Sequence, residues 1–401
     1  MKITSIETIR VGEFSNLLWV LVHTDEGVTG LGETFMGAAA VEAYIHESAA
    51  PVLIGEDPSR INYLAKQMSE YVGFHGSGAE VRGASAVDIA LWDLAGKALN
   101  RPLYDLIGGK TRDKVRTYNT CAGYKYIRSS SGQNTKNWGR GGAEGPYEDL
   151  DAFMTRADEL AEDLLSQGIT AMKIWPLDYY AEQNGKHYIS GENLREGFKP
   201  FEKIRKAVGD KIDIMLECHA LWDLPTAVQI AKRAEDYDVY WIEDPIRADN
   251  TAAWGEFKAQ TRLRVTGSET IAGRRNLRQL IADGGVDVVM IDLGWCGGIT
   301  EGLAGAAMAD AHHLPVAPHD CTGPVVYAAS THMSLSASNG FIQESVRSFY
   351  TGWHREVAEN GPVMADGYLT VPDSPGHGVA LAPDLAKRED AVVRVSTAAD
   401  L

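Results

Sequence analysis

The sequence predicts an α/β protein: a closed parallel (β/α)8 barrel preceded by an α+β unit. Three observations carry that reading. Between residues 113 and 345, eight short apolar or β-branched runs alternate with amphipathic helical segments, the rhythm of a βα barrel. No GxGxxG follows the first run, which counts against a doubly wound open sheet. Polar residues also recur at the ends of these runs about 25 residues apart, roughly one strand, one helix and two loops.

The elements follow in order. The chain opens with strand-like KITSIETIRV, LLWVLVHTDEG and VTGLGET, and Gly27 in DEGVTG marks a hairpin turn. RGASAVDIALWDLAGKALNRPLYDLIGG reads as a nearly all-apolar helix through Ala86, Ile89, Ala90, Trp92, Leu94 and Ala95, ended by Pro102 and Gly108-Gly109. Residues 1–112 form the α+β unit on this reading. The eight barrel runs are VRTYNTC, TAMKIW, DIMLEC, VYWIED, RVTGSE, VVMIDL, LPVAPH and FIQES, placing the barrel over 113–345. Two insertions, 124–149 and 178–193, follow the first and second strands and are rich in Gly, Ser, Asn and Tyr. Long loops there lie on the catalytic face of a barrel, as lids or substrate-contacting segments. Residues 346–401, with Pro372, Pro375, Gly376 and Gly378, read as a tail returning to the first unit.

Composition bounds the function. With 401 residues the chain exceeds one small core, and 44% hydrophobic with 23% charged residues is ordinary for a globular protein. A net charge of -17 leaves no basic excess for nucleic acid or anionic membranes. No stretch approaches the roughly 18 apolar residues that span a bilayer, and the N-terminus has no apolar leader core, so a cytoplasmic protein is expected. Cys121, Cys218, Cys296 and Cys321 form no CxxC or zinc spacing and read as reduced, buried thiols. The Trp- and Tyr-rich loops suit interfaces as well as lids, and a homo-oligomer is expected.

The chemistry concentrates at the strand ends. Glu217, Glu243, Glu269, Asp292, His319 and Glu344 follow one another at intervals of 26, 26, 23, 27 and 25 residues, which puts them on one face of one barrel. Three converging carboxylates repel unless protonated or bound to a cation, and an oxygen-only set suits Mg²⁺. No Arg or Lys stands at a matching position to neutralise all three. Asp292 and His319 lie on neighbouring strands, where the carboxylate would fix the tautomer of the imidazole. Glu217 and His219 are two residues apart and share a strand face. They are either a buried, mutually satisfied polar pair or a ligand with an acid beside it.

AVDIALWDLAGKALNRPLYDLIGG, MKIW, MLECH, YWIEDP, TGSET, VVMIDLGWCGGIT, APH and IQES together resemble the enolase superfamily in its mandelate racemase-like branch. The resemblance spans the whole chain. It implies a modified (β/α)8 TIM barrel under an N-terminal α+β capping domain, with Mg²⁺ on Glu217, Glu243 and Glu269. It implies His319–Asp292 as general-base dyad and Glu344 as the strand-eight carboxylate that meets the substrate carboxylate or the enolate.

Two departures refine it. Racemases of the branch carry Lys-x-Lys after strand two. This chain has Lys173-Ile174-Trp175, and Trp175 cannot accept a proton. His219 stands where galactonate dehydratase-like members place the acid for a departing hydroxyl. The resemblance therefore implies a sugar acid dehydratase acting on an aldonate or aldarate. His319 would take the C2 proton, Lys173 would stabilise the enediolate, and His219 would protonate the leaving 3-hydroxyl to give a 2-keto-3-deoxy acid. Trp175 is expected as an apolar wall against the sugar. The alternative is a cycloisomerase or epimerase using the same enediolate. Substrate length is expected to depend on the two insertions and on the stretches near Glu13 to Asn16 and Glu33 to Met36.

Overall fold

A computed structural model of the chain describes residues 1–69, 76–128, 134–140, 145 and 147–400. Much of the first expected insertion (129–133, 141–144 and 146) lies outside the described residues. The N-terminal sheet is a meander of β1 (Ile3–Val11), β2 (Leu17–Thr24) and β3 (Thr29–Phe35), all antiparallel. Gly27 turns the β2–β3 hairpin at φ 77°, a conformation that costs glycine nothing. The C-terminal strand Ala391–Thr397 pairs antiparallel with β1, so the chain's end lies beside its beginning.

The long apolar helix spans Ala79–Leu99 and presses directly on β3. A Cβ on Gly30 would stand 2.0 Å from the Ala90 carbonyl oxygen, and one on Gly32 1.8 Å from that of Ala86. Glycine at these two positions is what allows the approach. The other side of the helix faces the barrel, which explains why it is apolar nearly all round. Its polar residues serve as ties. Asp88, fully buried, accepts from the Thr300 amide at 2.9 Å and the Thr300 hydroxyl at 2.6 Å, at the start of helix Gly298–Ala311. Asp93 accepts from the Leu31 amide at 2.9 Å.

Eight strands build the barrel: β4 (Val115–Thr120), β5 (Ala171–Ile174), β6 (Asp213–Glu217), β7 (Trp241–Glu243), β8 (Arg264–Gly267), β9 (Val288–Ile291), β10 (Val316–Pro318) and β11 (Gln343–Ser345). Each pairs parallel with the next from β4 to β10, and β11 pairs parallel with β4. Among the described residues the β10–β11 seam carries no ladder. It is bridged at Val316–Gly340, where the Phe341 amide donates to the Val316 carbonyl at 3.0 Å. Inside, Tyr118, Ala171, Met215, Trp241, Val288, Met290, Ala317 and Ile342 form the core, with Tyr118 edge-on to Trp241 at 5.2 Å. The second insertion differs from a plain loop: it begins with a short helix, Asp178–Gln183. All four cysteines are free and buried. No helix among the described residues is long and apolar enough to cross a membrane.

Glu33, on β3, ties the N-terminal sheet to the barrel. Its buried carboxyl accepts from Trp19 Nε1 at 2.7 Å and from the Val325 and Val326 amides at 3.1 and 3.0 Å. Those amides open helix Pro324–Ser336, so a residue of one unit caps a helix of the other. Burial pushes Glu33 up to about 8 in spite of the three donors.

Two buried histidines give the fold an acid limit. Burial pushes His332 and His354 down to about 3; the Tyr104 amide donates to His332 Nδ1, and His354 Nε2 donates to the Thr322 carbonyl. Below about pH 6.5 the unfolded chain takes up these protons and the folded chain does not. Their contribution is therefore full above pH 6.5 and is lost as pH falls toward 3. Each is expected to cost about 2 kcal/mol by pH 5. Thermal melts from pH 7 to 5 check this, and His354→Gln, which can still donate to Thr322, should flatten the slope.

Candidate active site

The barrel register brings the polar strand ends to one mouth. Glu217, Glu243 and Glu269, ending or just following β6, β7 and β8, each place a carboxylate oxygen within 4.8 Å of the others. Glu217 Oε1 accepts from the Cys218 and His219 amides at 2.9 and 2.7 Å, which folds the chain sharply after β6. His219 and Ala220 take φ of 48° and 55° in that turn, a left-handed conformation uncommon outside glycine. Glu243 Oε2 accepts from Trp241 Nε1 at 3.0 Å.

The sequence offers no Arg or Lys positioned to neutralise all three carboxylates; in the structure Lys173 stands among them and meets two, Glu217 and Glu243. Its Nζ stands 3.1 Å from Glu217 and 2.8 Å from Glu344, and it donates to Glu243. Lysine reaches across neighbouring strand ends because its stem is long, a freedom that strand-end spacing does not register. The offset is incomplete. Burial, and then repulsion from Glu217, push Glu243 well above the usual carboxylate range. Burial raises Glu269 too, against the pull of His319. Burial opposes ionisation of Glu217 as well, yet His219 and Lys173 hold it below the usual range. Burial likewise disfavours the Lys173 charge, and Glu243 and Glu344 outweigh it, raising the ammonium well above its ordinary value.

Both expected histidines have a carboxylate partner. His319 Nδ1 lies 2.6 Å from Asp292 Oδ2, and its Nε2 lies 3.2 Å from Glu269. Asp292 is itself oriented by the Gly294 amide at 2.7 Å. Burial works against protonation of His319, but Glu269, Glu344 and Asp292 raise it to about 10. His219 Nδ1 lies 2.6 Å from Asp178 Oδ2; against burial, Asp178 and Glu217 raise it to about 9. Glu344 completes the ring: Oε1 accepts from Lys173 and Thr120, and Oε2 accepts from the Asp320 amide at 2.8 Å.

A narrow cavity opens onto these groups. Larger clefts elsewhere on the surface hold no comparable cluster. Trp175 is buried at its wall, edge-on to His219 at 5.7 Å and packed on Tyr126 and Phe153. Sequence reasoning missed several wall residues, among them Thr120, Tyr126, Ile127, Trp295 and Cys321. Trp295 sits 5.2 Å from the His319 ring. Met36 reaches the cavity from the N-terminal unit, in one of the stretches expected to bear on substrate length. Ile127, at φ 42°, is an outlier for a β-branched residue, and Asn16 Nδ2 holds its carbonyl at 2.6 Å. Asp178 was also missed. It lies five residues after Lys173, and no periodicity singles it out.

Comparison with known proteins fits this architecture. Residues 4–108 match the mandelate racemase / muconate lactonizing enzyme N-terminal domain, and residues 156–385 match the enolase C-terminal domain-like family. The chain belongs to the mandelate racemase / muconate lactonizing enzyme family of the enolase superfamily. Family relatives include the D-galactonate dehydratase of Pectobacterium atrosepticum, 31% identical over 96% of this chain and 93% of that protein. The D-xylonate dehydratase of Haloferax volcanii is 29% identical over 96% of this chain and 87% of that protein. Among solved structures, a mandelate racemase-subgroup enolase from Agrobacterium tumefaciens superposes with a TM-score of 0.89 at 49% identity, covering both chains fully.

Lys173 balances part of the buried charge at the family's strand ends, so its loss should be felt in stability. Lys173→Met is expected to destabilise the EDTA-treated protein by about 3–5 kcal/mol, the usual cost of stripping one partner from a buried pair. Urea denaturation measures this.

Proposed function

We propose that this chain is a sugar acid dehydratase, a cytoplasmic Mg²⁺-dependent hydro-lyase that removes water from an aldonate or aldarate. One observation carries the reading: two imidazoles, each backed by a carboxylate, border one cavity from opposite sides of the barrel. His219 follows β6, the third barrel strand, and His319 follows β10, the seventh. In an eight-stranded barrel these positions face each other. One histidine can take a proton while the other delivers one. Relatives named as D-galactonate and D-xylonate dehydratases support the same class and put aldonates first.

The residues fit a divalent cation. Glu217, Glu243 and Glu269 are an oxygen-only set, the first two buried and the third partly so, mutually repelling, and Lys173 offsets them only in part. Mg²⁺ held there would supply positive charge against the carboxylate of the substrate as it becomes an enediolate. A cation held by Glu269 would offset the field that favours protonated His319, leaving its Nε2 to accept.

The chain's own groups divide the reaction. His319 Nε2 takes the C2 proton, with Asp292 holding the ring and stabilising the imidazolium. Lys173 faces the new negative charge. Glu344 positions the substrate carboxylate and enolate. His219 gives its proton to the 3-hydroxyl as the C3–O bond breaks and water leaves. The resulting enol takes a proton at C3 and ketonises to the 2-keto-3-deoxy acid. Trp175 forms the wall beside the acid. Because it accepts no proton, the second base that epimerisation requires has no occupant at that position.

A library of aldonic and aldaric acids assayed with Mg²⁺ for 2-keto-3-deoxy acid tests the proposal. At least one aldonate should be converted, EDTA should abolish conversion, and added Mg²⁺ should restore it. His319→Asn is expected to lower turnover about 10²–10⁴-fold. Glu243→Gln should weaken Mg²⁺ binding by titration calorimetry. Exchange of the C2 proton with solvent deuterium but no keto acid from any substrate would point instead to the cycloisomerase or epimerase.

A further inference from the structure

We propose that Asp178 is the positioning residue of the acid: its carboxylate holds the His219 ring by Nδ1, leaving Nε2 for the cavity. The assignment rests on the dehydratase reading above and adds a residue to it. The contact is 2.6 Å, the same as His319 Nδ1 to Asp292. Asp178 is only 3% exposed. Its other oxygen, Oδ1, is buried with no hydrogen-bond partner among the described residues, so His219 is the one described group that the side chain is seen to bind. A buried carboxylate committed to a single imidazole orients that ring and selects its tautomer.

The position in the chain strengthens the point. Lys173, Trp175 and Asp178 lie within six residues at the exit of β5. Trp175 meets the edge of the His219 ring at 5.7 Å and 76°, while Asp178 meets Nδ1. One turn of chain therefore fixes both the plane of the ring and its rotation. Where a second lysine would have supplied a base, this turn holds an acid carried by the neighbouring strand. The left-handed turn at His219 sets the ring from its own backbone, and Asp178 sets it from across the groove.

A positioning role and a purely structural one separate when the two halves of the reaction are measured apart. The probe is the aldonate that wild-type enzyme converts fastest, with Mg²⁺ present. Asp178→Asn is expected to slow keto acid formation about 100-fold or more, with KM changed less than about threefold on the same view that the acid acts only in the transition state. Deuterium from the solvent should still wash into C2 of recovered substrate, because His319 is untouched and the enediolate can return. Asp178→Glu, which keeps the charge but shifts it by one methylene, should fall between wild type and Asp178→Asn. Elimination surviving intact in Asp178→Asn would overturn the assignment. So would equal loss of exchange and elimination in a variant that still folds and binds Mg²⁺. If Asp178→Asn does not fold, Asp178→Glu carries the same comparison, and equal loss of both there is the overturning result. Failure of the wild type itself to convert any acid would instead overturn the dehydratase reading, and this assignment with it.

Discussion

Buried negative charge at the mouth of the barrel is the constraint around which the rest is arranged. Glu217, Glu243, Glu269 and Asp292 stand at or just beyond the ends of four consecutive strands and Glu344 lies within β11, with Lys173 as the one ammonium among them in the described residues. Carboxylates this close and this dry are unstable as a group unless something positive joins them. The protein answers with Lys173 and two imidazoles and leaves the three-glutamate cluster undercompensated. The same carboxylates favour the protonated form of the two histidines beside them. The aromatic floor of Tyr118 and Trp241 keeps the cluster dry from below, and Trp241 also donates to Glu243.

A charged mouth needs a cover, and the N-terminal unit provides it through specific polar ties as well as apolar packing. Glu33 caps the helix that follows the His319 strand, and Asp88 caps the helix that follows the Asp292 strand. The helices after the Asp292 and His319 strands are thus tied from outside the barrel. Met36 and the Asn16-held Ile127 then complete the cavity wall from the same side. The backbone strain at Ile127 is sustained by that contact, as strain at a site generally must be sustained by its surroundings.

The two site histidines are held in the same way on different sides of the barrel. Each is anchored at Nδ1 by a buried aspartate, and the two lie four strands apart. Trp175 in place of a second lysine removes a basic group from the loop after β5. The same loop gives Asp178 to the histidine on the next strand.

Much of this was legible in the chain alone. A βα unit has a nearly constant length, so intervals near 25 residues force Glu217, Glu243, Glu269, Asp292, His319 and Glu344 to one end of the barrel, and apolar runs buried on both sides announce the strands themselves. The sequence by itself determined the architecture and the composition of the mouth, because these follow from periodicity along the chain, and its motifs carried the resemblance to the family. Only the tertiary structure decided that Lys173 reaches two of the three clustered glutamates, that Asp178 meets His219, that Glu33 and Asp88 cap barrel helices, and that β10 and β11, among the described residues, meet through a single bridge. Those are contacts between side chains on different elements. They depend on stem length, rotamer and the angle at which loops cross, none of which leaves a period in the sequence.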